Sequence, residues 1–310
     1  MKAIVLCPGQ GSQKVGMGKD LAEAFPAARD VFRAADEALG TGLSKLMWEG
    51  PEDDLTLTHN AQPAILIHTL ATWAVVKDRL TPVAGAGHSL GEYSAYVVAG
   101  SLSAESAAKL VRRRGELMLE AGKQRPGAMA AILGLASAQV EDACQAASGG
   151  GQVVVAANLN GPDQTVISGD PAAVEQAGAA CKAAGAKRVL PLKVSGAFHS
   201  PLMATAQTAL RETLAKVHLN DPKVPVIANA TAEPVRDAST ARRLLGDQLT
   251  AAVHWVASME RAASVAPGTT FVEVGPGSVL AGLVKRIVTG AQTLNLGTAQ
   301  DVTAFMERAA

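Results

Sequence analysis

Aromatic residues, cysteines and long apolar runs are all scarce in this chain, and each scarcity closes off a class of protein. Phe, Trp and Tyr make up 3% of the sequence against 48% hydrophobic residues, so small aliphatics, chiefly Ala, Val and Leu, must pack the core. The three cysteines (Cys7, Cys144, Cys181) are odd in number, widely spaced and without a C-x-x-C pair. That argues against a disulfide framework or a zinc site and fits a reducing compartment. No stretch approaches the roughly 18 apolar residues of a membrane span, and the run from Ala3 to Cys7 is too short for a secretory signal. An excess of either charge is missing too: Lys and Arg number 28, and so do Asp and Glu. Such a balance does not suit a binder of nucleic acid or of a membrane surface. A soluble, cytoplasmic protein is expected.

Nucleotide-binding loops are also absent. Residues 2–7 read as a buried strand, and Pro8-Gly9-Gln10-Gly11-Ser12-Gln13 follows as a loop. A G-x-G-x-x-G fingerprint would need glycine where Lys14 stands, and no G-K-[ST] occurs. Such a loop can instead offer backbone N–H groups to an oxyanion, and Gln10 is the candidate donor.

What is present centres on Gly87-His88-Ser89-Leu90-Gly91, which has the G-x-S-x-G spacing of a nucleophile elbow. A small-residue apolar run precedes it and a helix-like run, 92–99, follows. In that context the sharp turn lifts the Ser89 hydroxyl clear of the sheet. It also leaves the Leu90 N–H at a helix N-terminus, where negative charge is favoured.

The 310 residues suffice for one large domain or two modest ones. Helices are expected over 19–40, 43–48 and 62–76, the last with Pro63 in its first turn. His59 and His68 read as structural. A further helix runs from a serine cap, Ser101 or Ser103, to about Ala121, with Ala107, Leu110, Val111, Met118 and Ala121 on one stripe. Of three consecutive arginines only Arg114 falls within that stripe. An inward guanidinium needs a partner, either an internal Asp or Glu or the carboxylate of a substrate held bidentately.

From residue 127 the texture changes. Strand 128–134, helix 137–147, strands 152–158 and 164–169, helix 171–184 and strand 187–194 follow in the order β-α-β-β-α-β of a ferredoxin-like unit. Main-domain texture then resumes. The expected fold is therefore α/β: a large domain with a mostly parallel sheet (1–125 and 195–310) carrying an inserted ferredoxin-like domain (126–194). Strands at 223–230, 270–274 and 292–296 and helices at 201–216, 242–249, 253–263, 279–288 and 301–308 complete it.

His199, in the small-residue loop 195–201, is the candidate base for Ser89. Asp163 and Asp170 lie in the inserted domain, so no acid completes a triad. A base without a buried carboxylate suits transfer from an activated thioester better than amide hydrolysis.

The set Gly9-Gln10-Gly11-Ser12-Gln13, Gly87-His88-Ser89-Leu90-Gly91-Glu92-Tyr93, Arg114-Gly115, Gly196-Ala197-Phe198-His199-Ser200 and Val274-Gly275-Pro276-Gly277 resembles the malonyl-CoA:acyl carrier protein transacylases over nearly the whole chain. The resemblance implies an α/β-hydrolase-like large domain with a ferredoxin-like insertion. It implies Ser89 as nucleophile, His199 as base, the Gln10 and Leu90 N–H groups as oxyanion hole and Arg114 as the grip on the malonyl carboxylate. It implies a Gln248 carbonyl that orients His199, a supporting Gln62, and Phe198 as the malonyl-selective form of its loop. The partners would be acyl carrier protein and malonyl-CoA, a substrate; no cofactor, no metal and a monomer are expected. Arg112, Arg113, Lys187, Arg188 and Lys193 are candidates for a basic rim toward an acidic carrier. An esterase or thioesterase is the alternative reading, and a non-catalytic carrier-docking module a third. Two positions depart from the pattern. Cys7 replaces a common aromatic, altering packing or adding a reactive thiol, and Ala61 replaces the usual Thr before Gln62-Pro63.

Overall fold

The computed structural model describes residues 1–308. Its ten strands are β1 (Lys2–Cys7), β2 (Thr81–Gly87), β3 (Ala128–Leu133), β4 (Val154–Gly161), β5 (Gln164–Gly169), β6 (Arg188–Pro191), β7 (Val226–Ile227), β8 (Pro234–Val235), β9 (Thr270–Val274) and β10 (Thr293–Leu296). The first sheet has the order β10-β9-β1-β2-β7-β8, parallel except for the antiparallel pairing of β8 with β7. β1 lies inside it and is apolar on both faces. Ala3, Val5 and Cys7 join one core cluster, while Ile4 and Leu6 join another with Ala84, Ala86, Trp255 and Phe271. A strand buried on both sides is what a continuous apolar run encodes. The C-terminal ends of β1 and β2 therefore lie side by side, with Cys7 opposite Gly87. Their following loops, Pro8–Gln13 and His88–Leu90, meet above the sheet, where open α/β sheets place their ligands.

The second sheet is antiparallel, in the order β4-β5-β3-β6. Its helices, Ser137–Ala147 and Pro171–Ala183, supply Val140, Ala143, Ala173 and Ala177 to a core separate from the other two. β4 also reaches the first unit. Leu159 N–H donates to the Val253 carbonyl at 2.9 Å, and Val253 N–H donates to the Ala157 carbonyl at 2.8 Å.

Several boundaries differ from the expectation, each for a local reason. The helix expected over 19–40 is two helices, Lys19–Ala24 and Pro26–Leu39, because Phe25 is extended ahead of Pro26. The helix containing Pro63 starts earlier, at Thr58, so Pro63 lies inside it. The strand expected over 223–230 contracts to β7, and Glu233 and the short β8 fold back onto that segment. Ser103 provides the cap of the arginine helix, Ala104–Gln124, accepting from the Ser106 N–H at 3.1 Å. The short helix Glu52–Thr56 was not expected.

Candidate active site

Gly87-His88-Ser89-Leu90-Gly91 links β2 to the helix Gly91–Val98. Ser89 has φ 51°, in the left-handed region where a side chain is strained. Asn229 holds it there. Its Oδ1 accepts from Ser89 N–H at 2.7 Å, and its Nδ2 donates to the Gly87 carbonyl at 2.7 Å. A Cβ on Gly87 would fall on the Gly91 carbonyl group, and one on Gly91 would strike the Cys7 carbonyl, so neither position accepts a side chain.

Ser89 Oγ donates to His199 Nε2 at 2.7 Å. His199 also adopts a left-handed backbone, φ 57°, and is buried. Its Nδ1 faces the Gln248 carbonyl at 2.9 Å. A carbonyl only accepts, so Nδ1 carries the ring hydrogen and Nε2 presents a lone pair to the serine. Burial, reinforced by the Arg114 charge, lowers the imidazole pKa to about 3. The ring is neutral at physiological pH.

Arg114 is fully buried on the helix Ala104–Gln124. Its Nη1 donates to Gln62 Oε1 at 2.8 Å, and its Nη2 donates to Gln248 Oε1 at 2.8 Å and to Ser89 Oγ at 3.1 Å. The guanidinium carbon lies 5.4 Å from the Tyr93 ring centroid. Two amide oxygens and a hydroxyl are all neutral, and Nε is buried without a partner. The internal ion pair that the sequence left open is therefore not made. Arg114 is thus a buried cation whose hydrogen-bond acceptors are all neutral and whose Nε has no partner.

The remaining expected residues fall nearby. Gln62 is fully buried, with Nε2 3.2 Å from Met118 Sδ, and Ala61 beside it is equally buried. Gln10 lies on the loop after β1, its Nε2 donating to Thr58 Oγ1 at 3.3 Å. Phe198 lines the cleft over Ser89 and His199. Cys7 is sealed behind the loop, and burial together with Glu273 pushes its thiol pKa far up, so it packs and does not react. His68 is buried against the Gly297 carbonyl, 2.9 Å away. Asp163 pairs with Arg286, and Asp170 with Arg125, both away from His199. Of the basic rim, Arg112 is bonded to Asn60 and Arg113 to Glu116 and Glu120, whereas Lys193 lines the cleft.

Four further residues, to which the sequence assigned no role, belong to the site. Asn229 clamps the elbow as described. Glu92 is fully buried three residues after Ser89, its Oε2 accepting from Gln248 Nε2 at 2.7 Å and from Asn229 N–H at 3.0 Å. Burial raises its pKa to about 7 against those hydrogen bonds and Arg114. The signal for it was a lone acid in an apolar helix, directly after the elbow in the sequence. Asn158 and Asn160 come from β4 and line the cleft opposite Ser89; Asn160 Oδ1 accepts from His88 Nε2 at 2.7 Å. The cleft holds about 340 Å³. It continues past Gln10 and Asn160 into a groove of about 210 Å³ that reaches Val279.

A serine hydroxyl bonded to a neutral imidazole and to a buried guanidinium, at a cleft between two sheets, is an arrangement suited to acyl transfer. Comparison with known proteins agrees. The acyl transferase domain family matches residues 4–309. The malonyl CoA-acyl carrier protein transacylase of Bacillus subtilis (strain 168) is 47% identical over 288 residues, 92% of this chain and 90% of that protein. The enzyme of the same name from Escherichia coli (strain K12) is 46% identical over 283 residues, 91% of each chain. Among solved structures, an acyl carrier protein S-malonyltransferase from Vibrio cholerae superposes with a TM-score of 0.92 at 42% identity, covering 98% of this chain and 99% of that one. A malonyl-transacylase in complex with a type II PKS acyl-carrier protein superposes at 0.94 with 41% identity, covering 99% of both. The chain belongs to the acyl transferase domain family, among the malonyl CoA-acyl carrier protein transacylases.

Proposed function

We propose that this chain moves a malonyl group from malonyl-CoA to the phosphopantetheine thiol of an acyl carrier protein, supplying fatty-acid chain elongation. One observation carries the reading: a single hydroxyl oxygen, Ser89 Oγ, lies 2.7 Å from His199 Nε2 and 3.1 Å from Arg114 Nη2. A dicarboxylate half-thioester needs those two groups at one point, one for its carbonyl and one for its charge.

Ser89 Oγ attacks the thioester carbonyl as its proton passes to His199 Nε2. The Gln10 and Leu90 N–H groups receive the negative oxygen, each worth about 3–4 kcal/mol by comparison with measured oxyanion donors. The C–S bond breaks, His199 returns the proton to the CoA thiolate, and malonyl-Ser89 remains. The carrier's thiol repeats the sequence in reverse, giving its proton to His199 and taking the acyl carbon while Ser89 recovers its hydrogen. Arg114 holds the free carboxylate throughout. Gln248 orients His199 through its carbonyl, and Gln62 supports the guanidinium.

The groove toward Val279 suits the pantetheine arm, and Lys193 beside exposed Leu190 and Leu192 suits an acidic carrier. The route uses malonyl-CoA as substrate and calls on no cofactor. All of these residues come from one chain, which supports a monomer as the working unit, and we assign its two parts to 1–125 with 195–310 and to 126–194. No helix among the described residues is long and apolar enough to cross a membrane, and a cytoplasmic site of action is proposed on that basis and the cysteine usage. Intact-mass measurement of protein mixed with malonyl-CoA tests the reading. A persistent malonyl adduct on Ser89, discharged by carrier protein and absent from Ser89→Ala, is expected. Steady release of free malonate without carrier would favour the hydrolase alternative.

A further inference from the structure

Among the described residues, Glu92 is the one buried carboxylate in contact with the site, and the proposed steps do not use it. It lies on the helix that the elbow opens, yet its hydrogen bonds leave that helix. Oε2 accepts from Gln248 Nε2 at 2.7 Å and from Asn229 N–H at 3.0 Å. Those two residues carry the acceptors for Ser89 N–H and for His199 Nδ1–H. One carboxylate oxygen thus ties together the segments that hold the nucleophile and the base.

The consequence is sharpest at Gln248, whose amide has two faces that a half-turn would exchange. Nε2 donates to Glu92 Oε2 and to the Ser89 carbonyl at 2.9 Å, and Oε1 accepts from Arg114 Nη2 at 2.8 Å. Arg114 can only donate, and the Ser89 carbonyl and the Glu92 carboxylate only accept, so every partner selects the same orientation. Without the Glu92 acceptor, one amide hydrogen would be buried without a partner, at a cost that loosens the side chain. Arg114 Nη2 would then lose a fixed acceptor on the side facing Ser89.

We propose that Glu92 is a positioning residue: through Gln248 it holds the Arg114 guanidinium where a substrate carboxylate meets it, and so sets the preference for malonyl over acetyl groups. The role belongs to the reach of its oxygen and not to its charge. This inference rests on the malonyl-transfer reading above.

Two conservative variants separate reach from charge. Glu92→Gln keeps the length and a carbonyl acceptor but no charge. Glu92→Asp keeps the charge but withdraws the oxygens by about one C–C bond, which takes hydrogen bonds of 2.7 and 3.0 Å beyond range. The measurement is kcat/KM for malonyl-CoA and for acetyl-CoA, each per active site titrated by acylation, so that unfolded protein does not count. Glu92→Asp is expected to lower the malonyl-to-acetyl ratio by about tenfold or more, and Glu92→Gln to preserve it within about threefold. Combining Glu92→Asp with Gln248→Met should lower the ratio no further than Gln248→Met alone, because residues acting through one contact are not additive. A ratio that survives Glu92→Asp, a loss in Glu92→Gln larger than in Glu92→Asp, or additive losses in the double variant would each overturn the proposal. If the parent itself shows no malonyl preference, the functional reading fails and not this refinement of it.

Discussion

The two sides of the cleft are built differently. On the inner side, Arg114, Gln62, Gln248, Glu92 and Asn229 are all fully or almost fully buried, and each is bonded to another member of the group. All come from the unit of the parallel sheet. On the outer side, His88 meets Asn160 across the gap between the two sheets, resting on Trp255 at a centroid distance of 5.3 Å, and buried Asn158 and exposed Lys193 line the cleft. Low dielectric makes each polar contact on the inner side strong and each lost partner costly, whereas exposed contacts are screened. The proposed function divides along the same line: recognition of the acyl group's charge would belong to the inner side, and admission of the thioester's long arm to the outer one.

The largest test of that division removes the inner cation. Arg114→Met should cut malonyl transfer relative to acetyl transfer on the order of 10²–10³, because a bound carboxylate then lacks its partner in a buried site. The change also strips Gln62 Oε1 and Gln248 Oε1 of their donor, so acetyl transfer should fall as well, though far less. Steady-state kinetics with both donors gives the ratio. An unchanged ratio would mean that the inner side does not read charge.

A smaller effect concerns pH. Burial first and Arg114 second hold the His199 pKa down to about 3, so its lone pair is available well below the usual imidazole range. In the parent, kcat/KM for malonyl transfer should not halve as pH falls through about 6.5, the ordinary histidine value. Removing the Arg114 charge takes away a repulsion that disfavours imidazolium. The pKa must then rise, and Arg114→Met should lose activity at a higher pH than the parent. A pH–rate profile of both proteins checks the direction, and a shift to lower pH in the variant would contradict the proximity of the two groups.

The same division decides what could be read in the sequence. Ser89 was legible because its requirements are local: the glycines on either side leave room for a turn that five consecutive residues define. Arg114 was legible through period, since only one of three arginines fell on the apolar stripe. The second sheet announced itself through two strands in succession without an intervening helix. Glu92 and Asn229 were not legible, because their meaning lies in partners 137 and 156 residues away. An acid beside a serine elbow looks like the first turn of a helix favouring negative charge, and only the packing shows it turned inward. Asn160 falls between the expected strands 152–158 and 164–169 and belongs instead to β4, brought over the site by a bridge from Asn158 to Val253 that no local pattern encodes.

Asn160 also provides the weakest and most discriminating test of the comparison. Its Oδ1 accepts the His88 Nε2 hydrogen, so Asn160→Ala leaves that hydrogen to solvent at a half-open position. His88 keeps its contact with Trp255 and its backbone place in the elbow, where its N–H donates to the Cys7 carbonyl at 3.1 Å. Ser89 and His199 are therefore undisturbed, and among the described residues no hydrogen bond joins the Arg114 group to β4. The outer wall, however, loses a polar group and part of its hold on the opposite side. The expected result is a rise of about three- to tenfold in KM for malonyl-CoA, the scale of one partly exposed hydrogen bond. kcat and the malonyl-to-acetyl ratio should stay within about twofold, since an interaction shared by ground state and transition state moves KM alone. A fall in the ratio would show that the outer wall also sets the position of Arg114, and the division between reading charge and admitting the arm would have to be abandoned.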